Sequence, residues 1–299
     1  MSHVATLISN PAEPAVDAAL LATVTRLLPD AGEAIALKPG VAADIPFNGS
    51  GSADIATLTA ALREALVGQP VDLFVQKADG RRKRLLLADM DSTMIGQECI
   101  DELAAELGLK EQIAAITERA MRGEIEFEPA LRERVGALKG LPVVTIERVI
   151  AQRITLTPGG RTLIQTMKAN GARCALVSGG FTHFTNAIAN MIGFDENHAN
   201  TLETDGEMLS GTVQEPILGQ DAKRSHLHRL TRELGLGAQE TMAVGDGAND
   251  LAMICDAGLG VAYHAKPAVA AQAAARIDHG DLTALLYLQG YGEADFCMA

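Results

Sequence analysis

The chain has 299 residues, 47% of them hydrophobic and 21% charged, with a formal net charge of −13. This is the balance of a globular protein of about two domains, large enough to bury a core without disulfide or metal staples. The negative charge argues against nucleic acid and anionic membranes as partners, and an anionic substrate would need a locally positive site on this acidic body.

The opening residues, "MSHVATLISNPAEP", lack a basic segment followed by an apolar core, so no signal peptide is expected. Over residues 1–80 the pattern reads β-α-β-β-α-β. "HVATLIS" is strand-like, and "EPAVDAALLATVTRLL" has helical apolar spacing. "AIALKPGVAADIPF" gives two short strands around the Pro39-Gly40 turn pair. "SADIATLTAALREAL" gives a helix with Ser52 as its expected N-cap, and "VDLFVQKA" closes as a strand. This order predicts a small ferredoxin-like α+β domain. The charged, turn-containing "DGRRKR" (Asp79 to Arg84) reads as the linker, dividing the chain into 1–80 and 81–299.

Beyond the linker, the apolar strands "LLLADM", "ARCALVSG", "ETMAVGDG", "GLGVAYH" and "AARIDH" alternate with helical stretches. Continuous apolar strands of this kind predict an α/β domain built on a doubly wound parallel sheet covered on both faces. The first two strands lie much further apart than one crossover helix requires. The stretch between them is helical in pattern, so residues 97 to about 153 are expected to form an inserted helical cap. "LETDGEMLSGTV" predicts a β-hairpin about Asp205-Gly206. No stretch reaches the length of a membrane span. The four cysteines lack metal-ligand spacing and read as reduced, mostly buried residues of a cytoplasmic protein.

Four polar clusters fall where strands are expected to end, the place at which open parallel sheets bind ligands. In "DMDST", Asp89 and Asp91 are two residues apart on extended chain, so both carboxylates reach one side. Ser178-Gly179-Gly180 would leave a strand for a helix and offer close-approaching N–H groups to an anion. Lys223 opens an amphipathic helix. "GDGAND" supplies Asp246, Asn249 and Asp250. Taken singly, each is ordinary turn, cap or surface chemistry; four in this order point to a site.

Charge arithmetic narrows the chemistry. One pair of carboxylates at about 4 Å costs ~4 kcal/mol at an effective dielectric of about 20. Four of them facing a phosphate need more than Lys223, and an all-oxygen donor set favours Mg²⁺. One carboxylate would attack phosphorus and form an aspartyl-phosphate. Asp91, held protonated by neighbouring negative charge, would donate to the leaving alkoxide and later activate water. Lys223, Ser178 and the Gly179 and Gly180 amides would stabilise the transferring group.

With these motifs the sequence resembles the haloacid dehalogenase superfamily, and within it the phosphoserine phosphatases. "DMDST", "SGGF", Lys223 and "GDGAND" correspond to the superfamily's four motifs in order, and the likeness covers about residues 84–299. The resemblance implies a HAD-like Rossmannoid core. It implies Asp89 as nucleophile and Asp91 as general acid/base, with Mg²⁺ on Asp89, the Asp91 main-chain carbonyl and Asp246. Asp250 would support the metal shell, and Asn249 would contact the substrate phosphate. Glu98 and Arg134 match the positions that hold the amino acid, as suits an ammonium and a carboxylate. Met121 and Phe127 match positions that shield the site from water.

The expected activity is Mg²⁺-dependent hydrolysis of O-phosphoserine, the last step of serine biosynthesis, with neither His183 nor His226 taking part. Two rivals are phosphotransfer from phosphoserine to homoserine on the same fold, and a non-enzymatic amino-acid sensor. The N-terminal order resembles an ACT-type domain, which would serve as a regulatory amino-acid site or, more simply, as a surface for homodimer formation.

Overall fold

Period-two alternation lets each N-terminal strand serve two different neighbours. The computed structural model of the protein describes residues 1–49, 51–121 and 124–297, leaving aside the side chains of Ser52, Ala53, Glu118, Ala120 and Met121. Its first part runs β1 (His3–Ser9), α1 (Ala18–Leu27), β2 (Ile35–Lys38), β3 (Ala42–Phe47), α2 (Ser52–Ala65) and β4 (Val71–Lys77). The sheet order is β2-β3-β1-β4, with β1 antiparallel to both neighbours. Leu7, Ile45, Phe47 and Leu73 pack with Val24 and Leu62 of the two helices. Asp17 caps α1 by accepting from the Leu20 N–H at 2.8 Å. The expected Ser52 cap is displaced by one residue: Gly51 occupies the cap with φ +70°, a left-handed conformation that suits glycine.

The other face of this sheet is covered as well. Ile8 and Ala42 belong to the core of the larger domain. Arg81, from the charged linker, pairs with the buried Asp44 at 2.6 Å and donates to the carbonyls of Tyr287 and Leu288 at 2.9 and 3.1 Å. Lys83 is buried too, its Nζ donating to Gly80 and Gln239 carbonyls. The linker is therefore a packed joint.

Past the joint come β5 (Leu85–Ala88), then the cap helices α3 (Cys99–Glu106), α4 (Lys110–Met121), α5 (Phe127–Ala137) and α6 (Val144–Arg153). The chain continues through α7 (Gly160–Ala169), β6 (Arg173–Phe181), α8 (Thr182–Ile192) and β7 (Glu196–Asn200). The hairpin β8 (Leu202–Asp205) and β9 (Met208–Val213) follows, turning at Gly206. Last are α9 (Gln220–Glu233), β10 (Thr241–Gly245), α10 (Leu251–Asp256), β11 (Leu259–Tyr263), α11 (Pro267–Ala270), β12 (Ala275–Ile277) and α12 (Ala284–Leu288).

The main sheet has six parallel strands in the order β12-β11-β10-β5-β6-β7. Leu85 to Ala88 are fully buried, Leu86 and Ala88 on one face and Leu85 and Leu87 on the other. Each such leucine contributes about 1.5–3 kcal/mol. Strand β7, "ENHAN", is polar and half-exposed at the sheet edge, so no apolar run announces it. Successive strands run outward one way from β5 and then the other way from β10. The crevice at this reversal lies beyond the tips of β5 and β10.

The cap joins the core through two chain segments paired at Ile95 and Leu156, with Gly96 N–H donating to Thr155 and Thr157 N–H to Met94. The hairpin braces it from below, through bonds of 2.8 Å from Gly140 N–H to the Leu209 carbonyl and from Leu209 N–H to that of Leu141. Among the described residues no helix is long and apolar enough to cross a membrane. Cys99 and Cys174 are buried, Cys297 is half-buried and Cys255 is exposed, so the four are less buried as a set than expected.

Candidate active site

Strand β5 ends at Ala88. Asp89 N–H still donates to Val244 of β10 at 3.0 Å, and residues 90–94 then form one wide turn containing Ser92 at φ +55°. Asp89 is 4% exposed, and its Oδ1 accepts from the Met90 N–H at 2.8 Å. Thr93, fully buried in the same turn, donates to Asp246 Oδ1 at 3.2 Å, tying the tip of β5 to that of β10.

Lys223 is the fourth residue of α9, yet it is 1% exposed. Its Nζ stands 2.7 Å from Asp89 Oδ1 and 2.6 Å from Asp250 Oδ1. Burial works to lower its pKa, but the two carboxylates outweigh that and keep the ammonium charged. Asp250 Oδ2 accepts from the Gly247 N–H at 3.1 Å, so both its oxygens have protein partners.

Ser178, Gly179 and Gly180 lie within β6, which extends to Phe181, and not in a turn before α8. Register with β7 shifts there, releasing part of the backbone from the ladder. Gly180 N–H donates to Ser178 Oγ at 2.9 Å, and a Cβ at Gly180 would stand 3.2 Å from Asp91 Oδ2. The glycine lets strand and carboxylate approach.

The acids raise one another. Burial, then the charges of Glu98 and Asp89, pushes the Asp91 carboxyl well above its ordinary range. Its Oδ1 is buried with no hydrogen-bond partner among the described residues. Burial, then Asp89 and Glu98, lifts Asp246 to about 6. Burial and Asp89 raise Asp250 against the pull of Lys223. Asp89, Asp246 and Asp250 each bring one oxygen within 4.8 Å of the others. Such a buried, all-oxygen, mutually repelling set fits a hard divalent cation.

These groups open on a cavity of about 460 Å³ between core and cap. Glu98 and Arg134 line it from the cap side. Ser92 Oγ donates to Glu98 Oε1 at 2.6 Å, and Arg134 donates through Nε to the Ala130 carbonyl and through Nη1 to Thr117 Oγ1 at 3.3 Å. Phe127 also lines the cavity; Cβ atoms at Gly179 and Gly219 would lie 3.2 and 3.4 Å from its ring, so it closes over the glycine strand. The Met121 side chain lies outside the described residues.

The profile of the family described as haloacid dehalogenase-like hydrolase matches residues 86–254, more than half of the chain. The chain belongs to that family. A probable phosphoserine phosphatase of Schizosaccharomyces pombe is 47% identical to this hydrolase over 214 residues, covering 71% of the chain and 72% of the relative. A crystal structure of a haloacid dehalogenase family hydrolase from Salmonella enterica serovar Typhi matches nearly the whole chain. It has a TM-score of 0.84 at 30% identity, over 96% of this chain and 98% of that one. A phosphoserine phosphatase solved as a phospho-aspartyl intermediate analogue matches at a TM-score of 0.65 and 40% identity, over 69% and 98%.

In this hydrolase the cavity lining includes Asp89, Asp91, Glu98, Arg134, Ser178, Gly179, Gly180, Asp246 and Asn249. Lys223 and Asp250 stand behind Asp89 in the buried layer beneath. Thr117 and Lys266 also line the cavity and escaped the sequence reading. Lys266 stands in "HAKP" just past β11, a strand tip on the same side as the others, and that was its available signal. Neither His183 nor His226 is among the lining residues; His226 stacks on His198 at 4.0 Å, and burial holds its pKa down at about 4.

The raised carboxyls carry a stability consequence. A carboxyl whose folded pKa exceeds its unfolded value contributes stability that is complete below about pH 4 and lost as pH rises through the folded value. For Asp246 that value is about 6, and for Asp250 it is higher. In chelator, the melting temperature is therefore expected to fall between about pH 5 and about pH 8, and a divalent cation should raise it more at the higher pH. Calorimetric scans at both values check this; a melting temperature that climbs over the interval in chelator would contradict it.

Proposed function

We propose that this chain is a phosphoserine phosphatase, using Mg²⁺ and an aspartyl-phosphate on Asp89 to release L-serine and phosphate. The observation that carries the reading is the shared cavity: Asp89, Glu98 and Arg134 line one space of about 460 Å³. A phosphoserine molecule has a phosphate for the first and an ammonium and a carboxylate for the other two. The relatives named phosphoserine phosphatase support it.

Asp89 attacks phosphorus, and the bond from phosphorus to the serine oxygen breaks. Asp91, kept protonated by burial and by the charges of Glu98 and Asp89, gives its proton to the departing alkoxide. As a carboxylate it then takes a proton from water, which attacks the acyl-phosphate and restores Asp89. Lys223 holds Asp89 in line, and Ser178 with the Gly179 and Gly180 amides supports the equatorial oxygens. Asn249 contacts the phosphate. Asp89, Asp246 and the Asp91 main-chain carbonyl would hold Mg²⁺, with Asp250 holding the shell indirectly. When bound, the ion offsets the crowded negative charge and polarises the phosphoryl group.

Arg134→Ala is expected to lower kcat/KM for phosphoserine roughly 100-fold, since a bidentate carboxylate contact is lost. A phosphate ester without an amino acid should lose less than about threefold. Steady-state kinetics on both esters check this, and equal losses would remove Arg134 from substrate recognition. The functional reading itself is tested by phosphate release from phosphoserine, phosphothreonine and sugar phosphates, with and without Mg²⁺ and with homoserine as a competing acceptor. Free phosphate from phosphoserine alone is expected; transfer to homoserine would change the assignment.

The composition suits a cytoplasmic enzyme. A homodimer through the N-terminal domain would have to use its helices or the β2 edge, because the open sheet face is taken by the joint.

A further inference from the structure

The chemistry above makes no use of the N-terminal domain, yet one of its carboxylates ends within one loop of the acid cluster. Asp72 lies on β4, on the face turned toward the larger domain, and is 5% exposed. It crosses the joint to three successive N–H groups. Oδ1 accepts from Asp278 at 2.8 Å, Oδ2 from Gly280 at 2.8 Å, and both oxygens accept from His279 at 3.2 Å. Consecutive N–H groups wrapped around one anion form a nest. Here the protein's own side chain fills it. The fit leaves no room: a Cβ at Gly280 would stand 3.3 Å from Asp72 Oδ2 and 3.1 Å from the Ala284 Cβ.

The next link leads inward. The Gly280 carbonyl accepts from His264 Nε2 at 2.9 Å, which fixes the proton on that nitrogen. His264 N–H donates to Ile277 at 2.8 Å, and its φ of +43° is a left-handed conformation that a non-glycine residue keeps only where its surroundings impose it. Two residues on, Lys266 N–H donates to the Asp246 carbonyl at 3.3 Å. The loop between β11 and α11 thus touches the backbone of Asp246 at one end. At the other it is fastened to the segment that Asp72 grips.

We infer that Asp72 is a positioning residue for Asp246, so that the N-terminal domain braces the metal-binding edge of the catalytic site. This rests on the reading of Asp246 as a metal ligand. The plainer alternative is that Asp72 only glues the two domains together. Gln76 separates the two ideas. It is on the same strand and face, and its Nε2 donates across the same joint to the Leu288 carbonyl at 2.6 Å, away from residues 278–280.

The test uses the full chain and Mg²⁺ itself, with Mg²⁺ affinity read by titration calorimetry and by the concentration that half-activates phosphate release. Asp72→Ala and His264→Asn (asparagine tolerates the left-handed backbone) are each expected to weaken Mg²⁺ binding roughly tenfold. The double variant should be no weaker than the worse single one, because both sit on one chain of contacts. Gln76→Ala should lower the melting temperature while leaving Mg²⁺ affinity unchanged. If Asp72→Ala does not fold, Asp72→Asn and His264→Asn give the same readout. Mg²⁺ affinity within about twofold of wild type in the Asp72 and His264 variants, or an equal loss in Gln76→Ala, overturns the inference. A wild-type chain that binds Mg²⁺ but releases no phosphate from phosphoserine would sink the functional reading alone; an active one whose Asp72 variants bind Mg²⁺ normally would sink this inference alone.

Discussion

Asp89→Asn is expected to leave less than about a thousandth of wild-type phosphate release, because an amide cannot attack phosphorus as a carboxylate does. The substitution is otherwise mild. The side-chain carbonyl still accepts the Met90 N–H, and Lys223 keeps Asp250. Removing one charge also relieves Asp91, Asp246 and Asp250, each of which is raised by Asp89. The variant should therefore melt no lower than wild type at neutral pH. Phosphate-release assays paired with thermal melts check both halves. Retention of more than a few per cent of activity in a folded variant would contradict covalent catalysis by this residue.

Lys223→Met is the second large effect, and it should damage both catalysis and stability. Methionine fills similar space but leaves Asp89 and Asp250 facing each other, buried and without their cation. Removing one partner from a buried ion pair costs about 3–5 kcal/mol. Losing the cation that holds Asp89 in line misplaces the nucleophile, which costs roughly 10²-fold in kcat. The two losses respond differently to pH. Protonating the stranded acids relieves the stability loss in acid, so the melting-temperature deficit should be larger near pH 8 than near pH 5, while kcat stays low at both. A kcat within tenfold of wild type would show that Lys223 serves only the fold.

Much of this architecture is legible in the chain because the core strands are apolar runs that end abruptly in acids. "LLLADM" and "MAVGD" announce two neighbouring strand tips without any structure. The alternating pattern of the first 77 residues likewise gives the four-stranded sheet its strand and helix order. Other features obey rules that short-range pattern does not carry. Strand β7 is polar because it sits at an edge. Ser178 to Gly180 look like a turn by composition, but they are the loosened end of a strand. Lys223 looks like a solvated helix start and is among the most deeply buried side chains.

The joint between the domains is the least legible part. Asp72 meets residues 278–280, and Arg81 meets Asp44 and the Tyr287 and Leu288 carbonyls. All of these partners but Arg81 and Asp44 lie more than 200 positions apart and share no local pattern, and a run of basic residues ordinarily means a solvated tether. Thr117 is hidden for a related reason, because its hydroxyl matters only once Arg134 is folded against it.

The most direct measurement is a structure of the protein trapped with beryllium fluoride and Mg²⁺, which stand in for the transferred phosphoryl group and its ion. The account predicts the beryllium bonded to a carboxylate oxygen of Asp89, with Lys223 beneath it and the Gly179 and Gly180 amides around its fluorines. Beryllium bonded to Asp91, Ser178 or any other side chain would contradict it.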